Sequence, residues 1–442
     1  MSAPAVVLVV HPGAELYGSD RMVAEAVEAL VEAGLTVHVA LPTSGPLVDE
    51  LTRRGASCRT VAMPVLRKTA LRPKGFAALA TATVRSVAPT SALLHALRPD
   101  VVYVSTQILP TWLVAGRLAR AVTVCHVHEA ERHPSRLVEL GLVAPLLLAH
   151  RVLANSRYSA EGLAEVIPRL RRRTTVVYNG IAAPDEPAPP RPELDPPVRL
   201  LYVGRLSPRK GPDVALAATR LLRDAGVEVT LDLLGGVFAG YEWFEAQLRQ
   251  QYADLVAQGV VRFLGFDASV WPLIAAHDIA LVPSTAPEPF GNTAVEATLA
   301  RRPVVVSRIG GLPEAVDGTA SAVVVTPADA EALAAGIGDV VSNWARYAAT
   351  TREAAAQARV RFAPQRFRRE VATAVLDALA VRRGSADPQL AQRHLTVGGR
   401  PTKVDVVATE PRVGSGHGGP GVEPRPGDGA RSHSQAQRDP RP

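Results

Sequence analysis

The sequence predicts an α/β protein of two successive domains, each a parallel sheet with helices on both faces. Short apolar, β-branched runs alternate with helical patterns, and the rhythm occurs twice, on either side of a proline-rich break. Parallel strands are buried on both faces, so they read as continuous apolar runs and not as strict alternation. At 442 residues the chain also exceeds one ordinary core.

In the first half the runs fall at 5–10 (AVVLVV), 36–42, 101–106, 121–128, 151–156 and 174–180. In the second they fall at 198–204 (VRLLYVG), 227–235, 260–266, 278–284, 303–311 and 320–327. The intervening stretch 181–199, IAAPDEPAPPRPELDPPVR, has prolines that forbid a helix or a strand and reads as a linker. This gives domains at 1–180 and 200–363, followed by a helical pattern at 364–383. From Gly384 on, periodicity gives way to Gly, Pro, Arg and Ser, a composition that cannot offset its ordering entropy, so 384–442 is expected to be disordered. That tail contains GSGHGG (414–419) with no strand before it and no helix after it, so it is no dinucleotide fingerprint and an oxidoreductase is disfavoured.

Composition narrows the classes further. Hydrophobic residues make up 47% and charged residues 21%, the balance of a globular soluble protein. Two cysteines, Cys58 and Cys125, cannot build a disulfide framework, and no metal-ligand spacing surrounds either, which fits a reducing, cytoplasmic compartment. The first residues, MSAPAVVLVVHP, lack a basic leader and read as a first strand. The formal charge of +7 suits an anionic partner, but no zinc-finger spacing or aromatic-basic motif points to nucleic acid.

Ligands of parallel sheets bind outside the carboxyl ends of the strands, so two facing sheets would bring their strand-end loops to one cleft. After the run 198–204 comes GRLSPRKG (204–211), where Arg205 and Lys210 flank a Gly-rich turn. Pro212 then suits the first turn of a helix whose amide dipoles point back at the loop. Two cations at such a turn make a diphosphate site, although a solvated basic turn looks the same in sequence. After 278–284 comes EPFGNTAVE (288–296). Gly291 opens a helix there, and the amides of Asn292, Thr293 and Ala294 are orphan donors for a phosphate. Glu296 lies in the first turns of that helix, where it can accept bonds from ribose hydroxyls or merely complement the dipole; the dipole does not explain Glu288.

In combination, Gly204-Arg-Leu-x-x-x-Lys210-Gly, Glu288-x7-Glu296 and the GGLPE loop at 310–314 resemble the retaining glycosyltransferases of family 4, over about residues 1–382. The resemblance implies the GT-B fold, two Rossmann-like domains facing across a cleft. The N-terminal domain would sit on the acceptor side and the C-terminal domain would hold the nucleotide sugar, with 364–383 packing back on the N-terminal domain. It implies that Arg205 and Lys210 beside Gly204 hold the donor diphosphate, that Glu296 binds ribose, and that Glu288 lies by the donor sugar. Phe290, Gly291, Asn292, Thr293 and Ala294 would meet sugar and phosphate, and the base would be read near Leu264 and Gly265.

The N-terminal half is less like the family. Its first loop, HPGAELYGSDR (11–21), offers Gly18 or Gly13 for close approach to the diphosphate, with Ser19 or Asp20 capping the helix. CHVHEAER (125–132) resembles the family's His-acid strand end. By this likeness His128 belongs to the acceptor and sugar side, with His126, Glu129 and Asp20 as further acceptor-side candidates.

The resemblance thus implies a transferase that keeps the anomeric configuration of a sugar taken from a UDP- or GDP-type donor. Glu288, His128, Lys210 and Arg205 would do the chemistry. The sequence has no Asp-x-Asp pair, so no metal or other cofactor is expected. The stretch 65–86 places Arg67, Lys68, Arg72, Lys74 and Arg85 beside a helical apolar face, and PRLRRRT (168–174) is a second basic cluster. Relatives act on lipid-linked sugars or cell-surface glycans, so contact with an anionic membrane surface is expected; two solvated faces would read alike. A sugar-nucleotide epimerase of the same fold and a non-catalytic nucleotide-sugar-binding module stay open.

Overall fold

The computed structural model describes residues 4–16, 18–66, 73–130, 135–237, 240–267 and 269–384. Arg67, Lys68 and Arg72 of the basic stretch, and the tail from 385 onward, lie outside the described residues.

The first sheet has seven strands: β1 (Val6–Val10), β2 (Thr36–Leu41), β3 (Ser57–Thr60), β4 (Val101–Val104), β5 (Val122–Val127), β6 (Arg151–Ala154) and β7 (Thr174–Val176). Its order is β3-β2-β1-β4-β5-β6-β7, and every pairing is parallel. The second sheet has six: β8 (Val198–Val203), β9 (Val229–Leu234), β10 (Val261–Gly265), β11 (Ile279–Val282), β12 (Val304–Ser307) and β13 (Ala322–Val325). Its order is β10-β9-β8-β11-β12-β13, again all parallel. The apolar runs read from the sequence each contain one of these strands. β3, with the sequence SCRT, has no such run because it is an edge strand with mostly exposed side chains. β8 begins at Val198, inside the span read as linker, because Val198 is buried in the second core.

Successive strand residues serve opposite faces. Val7 and Val9 enter one N-terminal core, while Leu8 and Val10 enter the other. Helix Gly18–Glu32 covers the first face, and helix Pro364–Arg383 packs beside it although it follows the second domain in sequence. Phe367, Val371, Val375 and Leu379, four residues apart, form one apolar stripe that is buried in this core. Arg368, at the rim of that stripe, reaches Glu25 at 2.7 Å and Glu32 at 3.2 Å on helix Gly18–Glu32. The chain therefore crosses from the N-terminal unit to the C-terminal one and back.

Both sheets reverse their winding once, between β1 and β4 and between β8 and β11. Loops leaving neighbouring strands on opposite sides of such a switch point diverge and leave a crevice. The chain places 11–18, 204–211 and 283–291 directly after β1, β8 and β11.

Candidate functional site

A cavity of about 510 Å³ lies between the two domains at these strand ends. From the C-terminal domain it is lined by Gly204, Arg205, Arg209, Lys210, Glu288, Phe290, Gly291, Asn292, Thr293 and Glu296, and from the N-terminal domain by Gly18, Ser19, Arg21, His128, Asn155 and Asn179. The residues singled out at 204–211 and 288–296 therefore meet in one place.

The loops after β8 and β11 are tied together by their backbones. Thr285 N and Ala286 N donate to Arg209 O, and Arg209 Nη2 donates to Pro287 O at 2.8 Å. This brings Lys210 Nζ to 2.8 Å from Glu288 Oε1, which also accepts from Ser284 Oγ at 2.7 Å. Burial alone would raise the Glu288 carboxyl, but Lys210 and the Ser284 hydroxyl outweigh it, and the group lies below the usual carboxylate range. A charged acid is thus held at 5% exposure inside the cleft. The loop is braced from behind by the GGLPE turn. Gly310 has φ +61, and a Cβ there would stand 2.4 Å from the backbone of Glu288; Gly311 N donates to Glu288 O at 2.8 Å. The paired glycines hold the acid's loop and do not line the cavity.

Gly291, at φ +111, caps helix Asn292–Leu299 in a conformation that side chains disfavour. Asn292 and Thr293 line the cavity at its amino end. Ala294 does not: its side chain is fully buried and its amide already donates to Gly291 O at 3.0 Å, so it is no orphan donor. Glu296 sits one turn on and opens to the cavity. Burial raises its carboxyl, against the opposing pull of Arg21 and Lys210. Arg21 comes from the first turn of helix Gly18–Glu32, so both domains supply a cation to this spot. Gly18, the first residue of that helix, lies against Asn292 of the other domain.

Leu264 and Gly265 lie at the end of the edge strand β10 and do not line the cavity; Phe266 and Asp267, immediately after them, do, together with Gly235, Gly236 and Val237. The strand ends at Gly265, whose carbonyl accepts from Gly235 N, and the chain turns into the cleft only past that bond.

The N-terminal candidates separate. His128 lines the cavity, and burial, with His11 nearby, lowers it to about 3, so it is a neutral imidazole. His126 lies behind it, ring centroids 4.1 Å apart, with Nδ1 2.6 Å from Tyr103 Oη; it is buried and does not reach the cavity. Glu129 turns away, accepting from Thr106 Oγ1 and from His128 N at 3.0 Å, and lines a separate cavity of about 40 Å³ with Gln107 and Tyr158. Asp20 lies in the first turn of helix Gly18–Glu32, its carboxylate is 2.7 Å from His11 Nε2, and His11 Nδ1 lies 2.6 Å from Ser105 Oγ, a buried network at the end of β1. Four polar cavity residues carry no sequence signal as site residues: Arg21, within a loop notable only for its glycines and caps, and Asn155, Asn179 and Asp267, which stand singly among ordinary loop residues.

The two domains are clasped at the rim. The Glu314 carboxylate accepts from Arg157 N at 2.9 Å, Tyr158 N at 3.3 Å and Tyr178 Oη at 2.6 Å, and so caps the N-terminal domain's helix Arg157–Val166 from the other domain. Ser156 Oγ donates to Pro289 O, and Asn179 Nδ2 donates to Asn292 Oδ1 at 2.8 Å.

Known proteins resemble this chain in sequence and in fold. The glycogen synthase of Mycobacterium tuberculosis is 33% identical over 323 residues, which cover 66% of this chain and 71% of that protein. The D-inositol 3-phosphate glycosyltransferase of Acidothermus cellulolyticus is 32% identical over 276 residues, 59% of this chain and 60% of that one. In fold, the chain is similar to Anabaena HepE crystallised with UDP-glucose, at a TM-score of 0.68 and 24% identity, covering 84% of this chain and 99% of that one. The family models divide the chain much as the sheets do, Glycosyltransferase Family 4 matching residues 17–185 and Glycosyl transferases group 1 matching residues 187–358. With that match across both domains, the chain belongs to the group 1, family 4 glycosyltransferases.

Proposed function

We propose that the cleft takes a sugar from a nucleotide-diphosphate donor of UDP or GDP type and passes it, with its anomeric configuration kept and without a metal, to an acceptor hydroxyl. The acceptor is a glycan, a lipid-linked sugar or a small molecule. The observation that carries this reading is the convergence of Arg205, Lys210 and the amino end of helix Asn292–Leu299 on one cavity, with the charged Glu288 inside it. As the bond from the anomeric carbon to the diphosphate oxygen breaks, negative charge grows on the leaving group. Fixed cations and helix amides placed there in advance stabilise that charge and supply the role a metal would otherwise take. The acceptor oxygen then bonds to the same face of the ring, and its proton passes to the departing phosphate oxygen. Glu288 stands where a carboxylate opposes the positive charge on the ring. Neutral His128 offers the sugar a hydrogen-bonding nitrogen without adding charge.

Hydrolysis of a donor panel, with product configuration read by NMR, tests the proposal. The expected result is release of the nucleoside diphosphate from one donor class with retention. An inverted product, or no release from any donor, would sink it.

A peripheral contact with an anionic membrane is the finer part of the same proposal. Helix Pro73–Leu97 exposes Phe76, Val84 and Val87 with Lys74 and Arg85 also exposed, a mixture that suits a headgroup layer. No helix among the described residues is long and apolar enough to cross a membrane.

A further inference from the structure

A second cavity, of about 1000 Å³, lies in the N-terminal domain at the end of the sheet remote from the cleft. Arg98 and Asp100 in its wall precede β4 and Arg120 precedes β5, whereas the cleft gathers loops that follow strands. Helices Pro73–Leu97 and Pro110–Leu118 line it, and the last turns of helix Pro364–Arg383 add Leu379 and Arg382. Cavities of this size, mainly apolar with a few convergent polar groups, are where small molecules bind.

The walls divide by chemistry. Leu94 and Leu379, at 7% and 6% exposure, form a recessed apolar floor, while Val114 and Leu118 stand exposed beside it. Arg98, Arg120 and Arg382 are exposed at the same cavity, and no side chain among the described residues pairs with their guanidinium groups. Asp100, the one acidic residue in the wall among the described residues, accepts from Val6 N at 2.9 Å and is outnumbered by these cations. Burial, and then the charges of Arg117, Arg382 and Arg173, lower the neighbouring His150, so the field at this end of the domain is positive.

Two of the cations also stand in a costly backbone. Arg98, at φ +45, follows the end of helix Pro73–Leu97, and Arg120, at φ +56, follows that of helix Pro110–Leu118. A left-handed residue after a helix is usually glycine, because a side chain there crowds the following carbonyl. A cation complements the negative end of a helix dipole, but that does not explain why both open onto one apolar cavity. We propose that this cavity binds a monomeric single-chain amphiphile with an anionic head, an alkyl phosphate or a fatty carboxylate. The arginines pair with the head and the recessed floor takes the chain. A flat bilayer surface does not reach such a floor, whereas one chain does. The site stands apart from whatever the cleft binds.

Titration calorimetry of the full chain with decyl phosphate, kept monomeric, tests this. Saturable one-to-one binding is expected. Octyl phosphate, shorter by two methylenes, should bind about 15-fold more weakly, at about fourfold per buried methylene. Decanol and inorganic phosphate should each lose about tenfold or more, since each lacks one half of the recognition. The double variant Arg98→Gly with Arg120→Gly should weaken decyl phosphate by about tenfold or more while its melting temperature stays level or rises, because glycine suits both backbones. Arginines that merely stabilised helix ends would do the reverse, lowering the melting temperature and leaving affinity unchanged. Should the double variant fail to fold, Arg382→Gln, on a helix with ordinary backbone, reads the same affinity. The inference is overturned if no monomeric amphiphile saturates the chain, or if affinity ignores chain length or the arginines. It is equally overturned if phosphatidylglycerol vesicles bind where monomers do not, or if the cavity proves to be the interface of a dimer that excludes the amphiphile. Absence of donor hydrolysis would overturn the reading of the cleft and leave this site standing.

Discussion

The two walls of the cleft are made of different chemistry. The C-terminal wall is charged, with Arg205, Arg209, Lys210, Asp267, Glu288 and Glu296 lining the cavity. The N-terminal wall lines it with Arg21 as its charged residue and otherwise with neutral groups, among them His128, Asn155, Asn179 and Ser19. The difference matches the work proposed for each. Holding a diphosphate as its charge grows needs fixed opposite charge in a sheltered place. Selecting among sugar hydroxyls needs directional hydrogen bonds and no net charge to attract the wrong ligand. The comparison also shows where the walls depend on each other: Arg21 reaches over from the neutral wall to influence Glu296, and Glu314 reaches over from the charged domain to cap a helix of the other.

The sharpest way to break this comparison is to neutralise the charged wall. Lys210→Ala removes both a diphosphate cation and the partner of a buried carboxylate, and turnover should fall by about 100-fold or more, as it does when one preorganised electrostatic partner is lost. Glu288→Gln should fall by a similar factor in kcat. Near-normal steady-state rates in both variants would show that the charge belongs to the fold and not to the reaction.

Removing the clasp should have an intermediate effect. Glu314→Gln weakens an acceptor shared by two helix-end amides and Tyr178 Oη. Loss of a helix cap costs about 0.5–2 kcal/mol, and here the loss falls on the contact between domains. The expected signature is a donor KM raised up to about tenfold with a smaller drop in kcat, because closure becomes harder while the catalytic groups stay intact. A pure drop in kcat at unchanged KM would contradict it. Arg21→Ala should cost somewhat less, about three- to tenfold in kcat/KM for the donor, since its charge is exposed to screening. Raising the salt should lower wild type toward this variant.

The smallest effect is on the neutral wall and is read in stability. His128 is lowered to about 3 in the folded protein against an ordinary value of 6.5. The unfolded chain therefore binds the proton first as pH falls, and folding stability drops across the window from 6.5 down to about 3. His128→Asn should flatten that acid limb in chemical denaturation curves taken at successive pH values, while leaving stability at pH 8 little changed. An unchanged acid limb would mean that other groups govern it; buried His126, also lowered well below its ordinary value, is the first to examine.

Much of the molecule is legible in its residues, and the gaps have physical causes. Strands buried on both faces announce themselves as apolar runs, so both sheets can be read, whereas β3 cannot, because an edge strand with exposed side chains carries no such run. The charged wall, Asp267 apart, is legible because its other parts are contiguous turns: 204–211 and 288–296 carry cations, glycines and acids within a few residues of one another. The base side falls slightly later than Leu264 and Gly265, since the sequence does not show that the strand holds its last carbonyl before the chain turns inward. Ala294 looks like an open amide in the sequence because a helix start is visible there but its tight first-turn bond to Gly291 is not.

The neutral wall is the counterexample. Asn155, Asn179 and Arg21 are spread over more than a hundred residues, and each is commonplace in its own loop. Local sequence determined the two parallel sheets and the charged loops at their ends, because strand burial and turn chemistry act over a few residues. Only the tertiary structure decided that Lys210 meets Glu288, that Asn179 meets Asn292, and that a helix at the end of the described chain completes the first core. Those contacts join residues dozens to hundreds of positions apart, and their geometry is fixed by how whole sheets and helices pack, which no short stretch encodes.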